Sequence, residues 1–209
     1  MALVGDRWEI ICPLVKGRSV LDVGCAELAG SLEKPQWLHN KIITMASRAV
    51  GLDVNEVQVN LLRKKGYEIV LGNCETINLN EKYDVIFAGE LIEHLSNPGL
   101  FFDNMKRHLA ENGLLILTTP NRFNGILAVS CIIRNKIPTY NKPMNVHVHF
   151  YDGNSLKALA ERHGYREIET HYYTGGYEGL RGNIIARLFH KLRPRFAIGI
   201  IMVLKTRDE

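Results

Sequence analysis

The sequence predicts an α/β fold: a three-layer αβα sandwich around a mostly parallel, seven-stranded sheet with an antiparallel C-terminal strand. Three observations predict it. Short apolar runs alternate with amphipathic helical patterns from residue 19 to residue 120. The helical stretches carry start and stop residues. Each apolar run ends in a polar residue, a glycine or a proline, as expected where right-handed crossovers bring strand ends to one edge of a sheet.

The elements follow in order. SVLDVG (19–24) reads as the first strand. QWLHNKIITMAS (36–47) reads as a helix, with Trp37, Ile42, Ile43 and Met45 apolar and Pro35 near its start. AVGLDV (49–54) is the second strand, with Asp53 at its tip. Asn55 is placed to cap the helix EVQVNLLRKKG, which stops at Gly66. YEIVLGN (67–73) is a third strand and YDVIFAG (83–89) a fourth. LFFDNMKRHLAENG (100–113) is a helix with Asn112-Gly113 at its end, and LLILTTP (114–120) is the fifth strand, closed by Pro120. Beyond it, SLKALAERHGY reads as a capped helix ending at Gly164. REIETHYYT and FAIGIIMVLKTR read as the last two strands, added antiparallel. One domain over residues 1–209 is expected, with residues 122–195 covering the cleft.

Composition narrows the function classes. Apolar residues make up 46% and charged residues 23%, ordinary for a soluble globular chain. A net charge of +4 is too mild to argue for a nucleic-acid partner. Cys12, Cys25, Cys74 and Cys131 are scattered without a C-x-x-C pair, which suits reduced thiols rather than a disulfide frame or a zinc site. The first ten residues hold Asp6 and Glu9 and lack a long apolar stretch, so no signal peptide is expected. No apolar run reaches the length of a membrane span. The expectation is a cytoplasmic protein.

The residues at the strand tips carry the chemistry. Gly24 lets a ligand approach the backbone where a side chain would obstruct it. Asp22 suits loop amides or a ligand ammonium group. Asp53 suits a ribose diol, since a carboxylate accepts from both hydroxyls. Asn73 and Glu75 suit an adenine edge. Each alone is as well explained as a turn or cap residue; together, at successive tips, they outline a nucleoside site.

The set VLDVGC, VGLDVN, GNCETI, YDVIFAGELIEHLSNP and GLLILTTPN resembles the Rossmann-like, class I S-adenosylmethionine-dependent methyltransferases, and within them the ubiquinone-biosynthesis-like, methyltransferase type 11 branch. The resemblance runs from Val20 to Asn121 and weakens beyond. It implies S-adenosylmethionine as cofactor and S-adenosylhomocysteine as product. It places Asp22, Gly24 and Cys25, followed by Ala26, along the methionine side. It puts Asp53 on the ribose with Val54 against adenine, Asn73, Cys74 and Glu75 beside adenine, and Glu90 where the fourth strand meets the substrate cleft. The first loop departs from the family pattern: Ala26 and Leu28 replace glycines, and residues 27–36 read as an insertion. A loop this poor in glycine argues against a dinucleotide phosphate cradle. It does not argue against a cofactor that has no phosphate and a cationic end.

Methyl transfer needs an aligned nucleophile and excluded water, and a base only where the nucleophile holds its proton tightly. The base candidates are His149, His147 and His94. In a helix, Glu90, Glu93 and His94 would share one face. His147 and His149 would share one side of a strand. With His147 or His149 the first set could hold a metal, and it resembles the metal-assisted small-RNA 3′-terminal ribose methyltransferases. The same residues also fit a metal-free site in which Glu93 and His94 brace a turn, and the expectation is no metal. The favoured reaction moves the methyl group to a small-molecule acceptor, a hydroxyl of a sugar, quinone precursor or lipid-linked glycan. The alternatives are metal-assisted RNA ribose 2′-O-methylation and a cofactor-binding protein without turnover. In the tail, NIIARLFHKLRPR (183–195) reads as a lid helix in preference to a peripheral membrane contact. GILAVSCII (125–133) reads as core or as an apolar pocket wall, and Tyr172, Tyr173 and Tyr177 as pocket candidates.

Overall fold

The computed structural model describes residues 3–26, 37–125, 147–174 and 193–207. Its elements are β1 (Leu3–Val4), α1 (Trp8–Val15), β2 (Ser19–Val23), α2 (Leu38–Met45), β3 (Arg48–Asp53), α3 (Glu56–Lys64), β4 (Ile69–Leu71), β5 (Tyr83–Gly89), α4 (Pro98–His108), β6 (Leu109–Pro120), α5 (Gly153–Arg162), β7 (Tyr165–Tyr173) and β8 (Gly199–Thr206). Single 3₁₀ turns cover Ile92–His94 and Pro194–Phe196.

The sheet order is β1-β7-β8-β6-β5-β2-β3-β4. β2 to β6 are mutually parallel, and β8 runs antiparallel to both β6 and β7. The expected mostly parallel sheet is present, with an eighth strand added: the two-residue β1 pairs parallel with β7 at the edge. The strand order reverses between β2 and β5, so the crevice at their C-terminal ends is the place where such sheets bind ligands.

Alternation within the strands builds the layers. Leu21, Val23, Ile86, Ala88, Leu115 and Leu117 point to the face covered by α4 and α5 through Phe101, Phe102, Met105 and Leu156. Val20, Val85, Phe87, Ile116, Ile201 and Val203 point to the other face, covered by α1 and α2 through Ile11, Val15 and Ile42. Caps fix the helix starts: Asn55 accepts from Gln58 N, Asn97 from Leu100 N with Pro98 next, and Asp152 forms a capping box with Ser155.

Several expectations are corrected. α1 is an additional helix, without a side-chain cap and with Pro13 inside it. The helix expected over 100–113 spans Pro98–His108, and Asn112, with φ +63°, and Gly113 fall within β6, where the pairing with β5 shifts register between Tyr83/Leu109 and Val85/Leu114. The third strand shrinks to Ile69–Leu71. Residues 147–150 form no strand; a single bridge between Asn121 and Tyr151 holds the segment that follows. The proposed insertion at 27–36, the apolar stretch 125–133 beyond its first residue, Tyr177 and most of 183–195 lie outside the described residues. No described helix is long and apolar enough to cross a membrane.

Candidate functional site

At the tip of β2, the Asp22 side chain is almost fully buried, and its Oδ2 lies 2.7 Å from Nδ1 of His39, a wholly buried residue of α2. Burial pushes the Asp22 carboxyl above its ordinary value, opposed by the hydrogen bond and charge of His39 and by the charge of Arg7. Gly24 follows with φ +74°, and a Cβ built there would stand 3.0 Å from Leu91 Cδ1. Glycine is required here by both backbone and space, and the β2 loop thereby rests against the loop after β5.

The glycine-poor loop is held by its neighbours. Gly24 N donates to Leu52 O at 2.7 Å, Trp37 Nε1 donates to Cys25 O at 2.9 Å, and Ala26 N donates to Asp53 Oδ2 at 2.9 Å. Asp53 Oδ1 accepts from Asn55 N. Both oxygens of Asp53 therefore brace loop amides, each keeping acceptor capacity for a ligand hydroxyl. Cys25 is buried, and desolvation with the charges of Asp22 and Asp53 drives its thiol far above the ordinary range. Val54 stands 67% exposed beside Asp53, an apolar side chain presented to solvent at the cleft.

After β4 the expected adenine-side residues turn partly inward. Asn73 Oδ1 accepts from Glu75 N, Glu75 Oε1 accepts from Asn97 N at the start of α4, and Cys74 O accepts from Asn104 Nδ2. Cys74 is buried, its thiol pushed up to about 12 by desolvation first and by the Glu75 charge second. Glu75 and Cys74 thus anchor α4, and Asn73 remains exposed.

Beyond β5, Glu90 adopts φ +52°, a left-handed conformation that a non-glycine side chain holds only against a cost. Its Oε1 accepts from Tyr173 Oη at 2.7 Å and Thr118 Oγ1 at 2.8 Å, and lies 3.6 Å from Arg7 Nη1. Tyr173 is buried, and desolvation together with the Glu90 charge holds its phenol protonated far above the usual range. Glu90, Glu93 and His94 do not share a helix: only Ile92–His94 forms a 3₁₀ turn, with Glu90 ahead of it. Glu93 is 2% exposed; its Oε2 accepts from Thr119 Oγ1, and its Oε1 makes no hydrogen bond among the described residues and lies 4.0 Å from His94 Nε2. Burial and the Glu90 charge raise its carboxyl well above the usual carboxylate range.

The histidines divide. Val148 N and His149 N donate to Glu93 O, which brings the segment 147–150 over the turn. The His94 and His147 rings meet edge-on at 4.7 Å, and one donor atom from each of Glu93, His94 and His147 falls within 4.8 Å of the others. Burial and the neighbouring His94 lower the His147 pKa. His149 instead leans toward Tyr151, at 6.1 Å between ring centroids. His39, Arg7 and Tyr173 complete the tips. His39 and Arg7 carry no sequence signal, because neither lies in a strand-end motif; Tyr173 is one of the tyrosines noted as pocket candidates.

A family model described as a methyltransferase domain matches residues 9–170. The chain is 29% identical over 112 residues to the ubiquinone biosynthesis O-methyltransferase of Bradyrhizobium diazoefficiens, covering 51% of this chain and 41% of that protein. It is 30% identical over 102 residues to the (S)-coclaurine N-methyltransferase of Thalictrum flavum subsp. glaucum, covering 48% and 28%. The chain therefore spans less than half the length of these curated relatives. Its fold matches magnesium protoporphyrin IX methyltransferase from Synechocystis PCC 6803, solved with bound S-adenosylhomocysteine, at TM-score 0.61 and 14% identity, over 96% of this chain and 79% of that one. With a strand order that reverses between β2 and β5 and a family match over residues 9–170, this chain belongs to the methyltransferase-domain family, the class I enzymes whose cofactor is S-adenosylmethionine.

Proposed function

We propose that the protein transfers the methyl group of S-adenosylmethionine to a hydroxyl of a small-molecule acceptor, a sugar, quinone precursor or lipid-linked glycan, in the cytoplasm. The observation that carries this reading is the convergence on one sheet edge of a cofactor side, Asp22, Gly24 and Asp53, and a proton-accepting side, His94 and His147. The donor set fits the cofactor: carboxylates suit its cationic aminoacyl and sulfonium end and its ribose hydroxyls. In this reading Val54 and Asn73 flank the adenine, with Cys25, Ala26, Cys74 and Glu75 shaping the walls.

The acceptor hydroxyl approaches the sulfonium methyl in line. A neutral His147, its pKa lowered by burial, takes the hydroxyl proton, with His94 edge-on beside it and His149 two residues further along the chain. Most of the rate enhancement comes from alignment and from excluding water. Tritiated S-adenosylmethionine incubated with fractionated cell extract tests the reaction: label is expected in a small-molecule pool, and His147→Ala is expected to lower the rate at least about tenfold. Label confined to RNA, or no label in any pool, would overturn the small-molecule reading.

A second reading has its own observation. The Glu93, His94 and His147 donors lie close enough to share a divalent cation, and the buried Glu93 Oε1 makes no hydrogen bond among the described residues, facing His94 Nε2 at 4.0 Å. A cation there would act as Lewis acid on the acceptor hydroxyl, with these three side chains as its ligands. Activity lost in chelator and restored by Mg²⁺ or Mn²⁺ supports it; activity indifferent to chelator removes it.

A further inference from the structure

His39 is the most heavily committed histidine outside the strand-tip motifs. Its ring is wholly buried on α2, 5.1 Å from Trp37 and 6.2 Å from Tyr67 between centroids. On the far side, a Cβ built at Gly51 would stand 3.2 Å from His39 Cε1, so β3 leaves room for the imidazole. Nδ1 meets Asp22 Oδ2 at 2.7 Å, while Nε2 is buried with no partner among the described residues. An apolar pair of similar volume would be at least as stable at such a site, because burying an acid and a base costs more desolvation than their attraction returns. The pair is therefore an expensive way to fill space, and it sits where the cofactor's amino-acid end is expected. The same helix entrance also holds the loop: Trp37, two residues before His39, binds Cys25 O.

We propose that His39 is a positioning residue for the cofactor: through Nδ1 it fixes the Asp22 carboxylate at the tip of β2, so that Asp22 receives the ammonium of the aminoacyl end of S-adenosylmethionine. The proposal rests on the reading of Asp22 as a cofactor residue. It makes α2, and not only the strand-tip loops, part of the cofactor site. The groups facing Asp22 are His39 from α2, Arg7 from the segment before α1, Cys25 beside it and Asp53 from β3. Of these, His39 and Arg7 favour the carboxylate and Asp53 opposes it. Loss of His39 thus leaves Asp22 easier to protonate, and cofactor affinity should then fail at a higher pH.

Calorimetry with two ligands separates positioning from general damage. S-adenosylhomocysteine has the aminoacyl end; 5′-methylthioadenosine has the same nucleoside and thioether without it. His39→Leu is expected to weaken S-adenosylhomocysteine about tenfold or more, the scale of a charge-assisted hydrogen bond, and to leave 5′-methylthioadenosine within about twofold. The acidic limb of the S-adenosylhomocysteine profile should move to higher pH. His39→Asn, whose amide keeps a donor near the Nδ1 position, should restore most of the affinity. Equal weakening of both ligands, or no weakening of either with an unmoved pH limb, would overturn the proposal while Asp22→Asn and Asp53→Ala still impair binding. If Asp22→Asn and Asp53→Ala also leave S-adenosylhomocysteine affinity unchanged, the cofactor site itself has been misplaced and the role of His39 falls with it. Binding of 5′-methylthioadenosine by each variant serves as the check that it has folded.

Discussion

Gly24 and Glu90 stand just beyond the ends of the neighbouring strands β2 and β5 with their backbones in the left-handed region, and the two positions answer different needs. At Gly24 the conformation turns the chain out of β2, and a Cβ would press on the tip of the Leu91 side chain at 3.0 Å. Gly24→Ala is expected to cost about 1–2 kcal/mol from the backbone alone, read as a lower urea midpoint, and to weaken S-adenosylhomocysteine binding. An unchanged midpoint would show that the loop relaxes around the new methyl group. At Glu90 the strain is held by five polar contacts of its carboxylate and amide, with Tyr173, Thr118 and Arg7. Strain retained beside a cleft, with a side chain still one-third exposed, fits a residue selected for where its carboxylate points. Asp22, Gly24 and Asp53 were legible in the sequence because strand-end position alone defines them. His39 was not, because its partner is 17 residues away and only the docking of α2 on the sheet brings the two together.

At the scale of elements, the segment after β6 is tied down by one side chain. Asn121 is buried, and its Nδ2 donates at 2.8 Å to both Arg195 O and Ala197 O, just ahead of β8. Its backbone N donates to Ile198 O, and Arg122 N to Tyr151 O. This junction fixes how β6 leads toward the His147–His149 segment. Asn121→Ala is expected to destabilise the protein by about 2 kcal/mol, since two buried carbonyls lose their donor, measured by denaturant unfolding; a change below about 0.5 kcal/mol would mean that water replaces the amide. Most elements were readable from apolar runs and caps. Among those that were not, three departures have a clear physical reason. α1 has no side-chain cap and carries Pro13, so it forms by burying Ile11 and Val15 rather than by local signal. Asn112-Gly113 resembles a helix stop yet serves as a bulge, because Leu109 already pairs with Tyr83. The alternation in 146–150 suggested a strand, but the amides of Val148 and His149 are satisfied by one carbonyl, Glu93 O, and no ladder forms.

At the scale of the whole molecule, the site depends on β2 and β5 being locked side by side, because the crevice opens between them. Their starting ends are stapled reciprocally. Asp84 Oδ2 accepts from Ser19 N and Ser19 Oγ, and Ser19 Oγ accepts from Asp84 N. These hydrogen bonds lower the Asp84 pKa. A carboxyl whose pKa is depressed by folding stabilises the native state above its unfolded pKa, near 3.9, and that stability is lost as pH falls through the depressed value. Asp84→Asn should therefore unfold at a lower urea concentration at pH 7 and show a shallower loss of stability between about pH 5 and pH 2. Parallel curves for the two proteins would remove Asp84 from the acid transition.

The sequence by itself determined the layered α/β architecture, the parallel core of the sheet and the acidic strand tips, since these follow from local periodicity and from the residue at which each apolar run stops. Tertiary structure alone decided which side chains act on those tips. Contacts such as His39 with Asp22, Tyr173 with Glu90 and His147 with His94 join residues 17, 83 and 53 positions apart, and no local pattern encodes them. It also decided how the loop after β2 holds its course without its usual glycines. At its described start, Gly24–Ala26, Trp37 just before α2 and Asp53 from β3 supply from outside the restraint that a glycine-rich loop obtains from its own backbone.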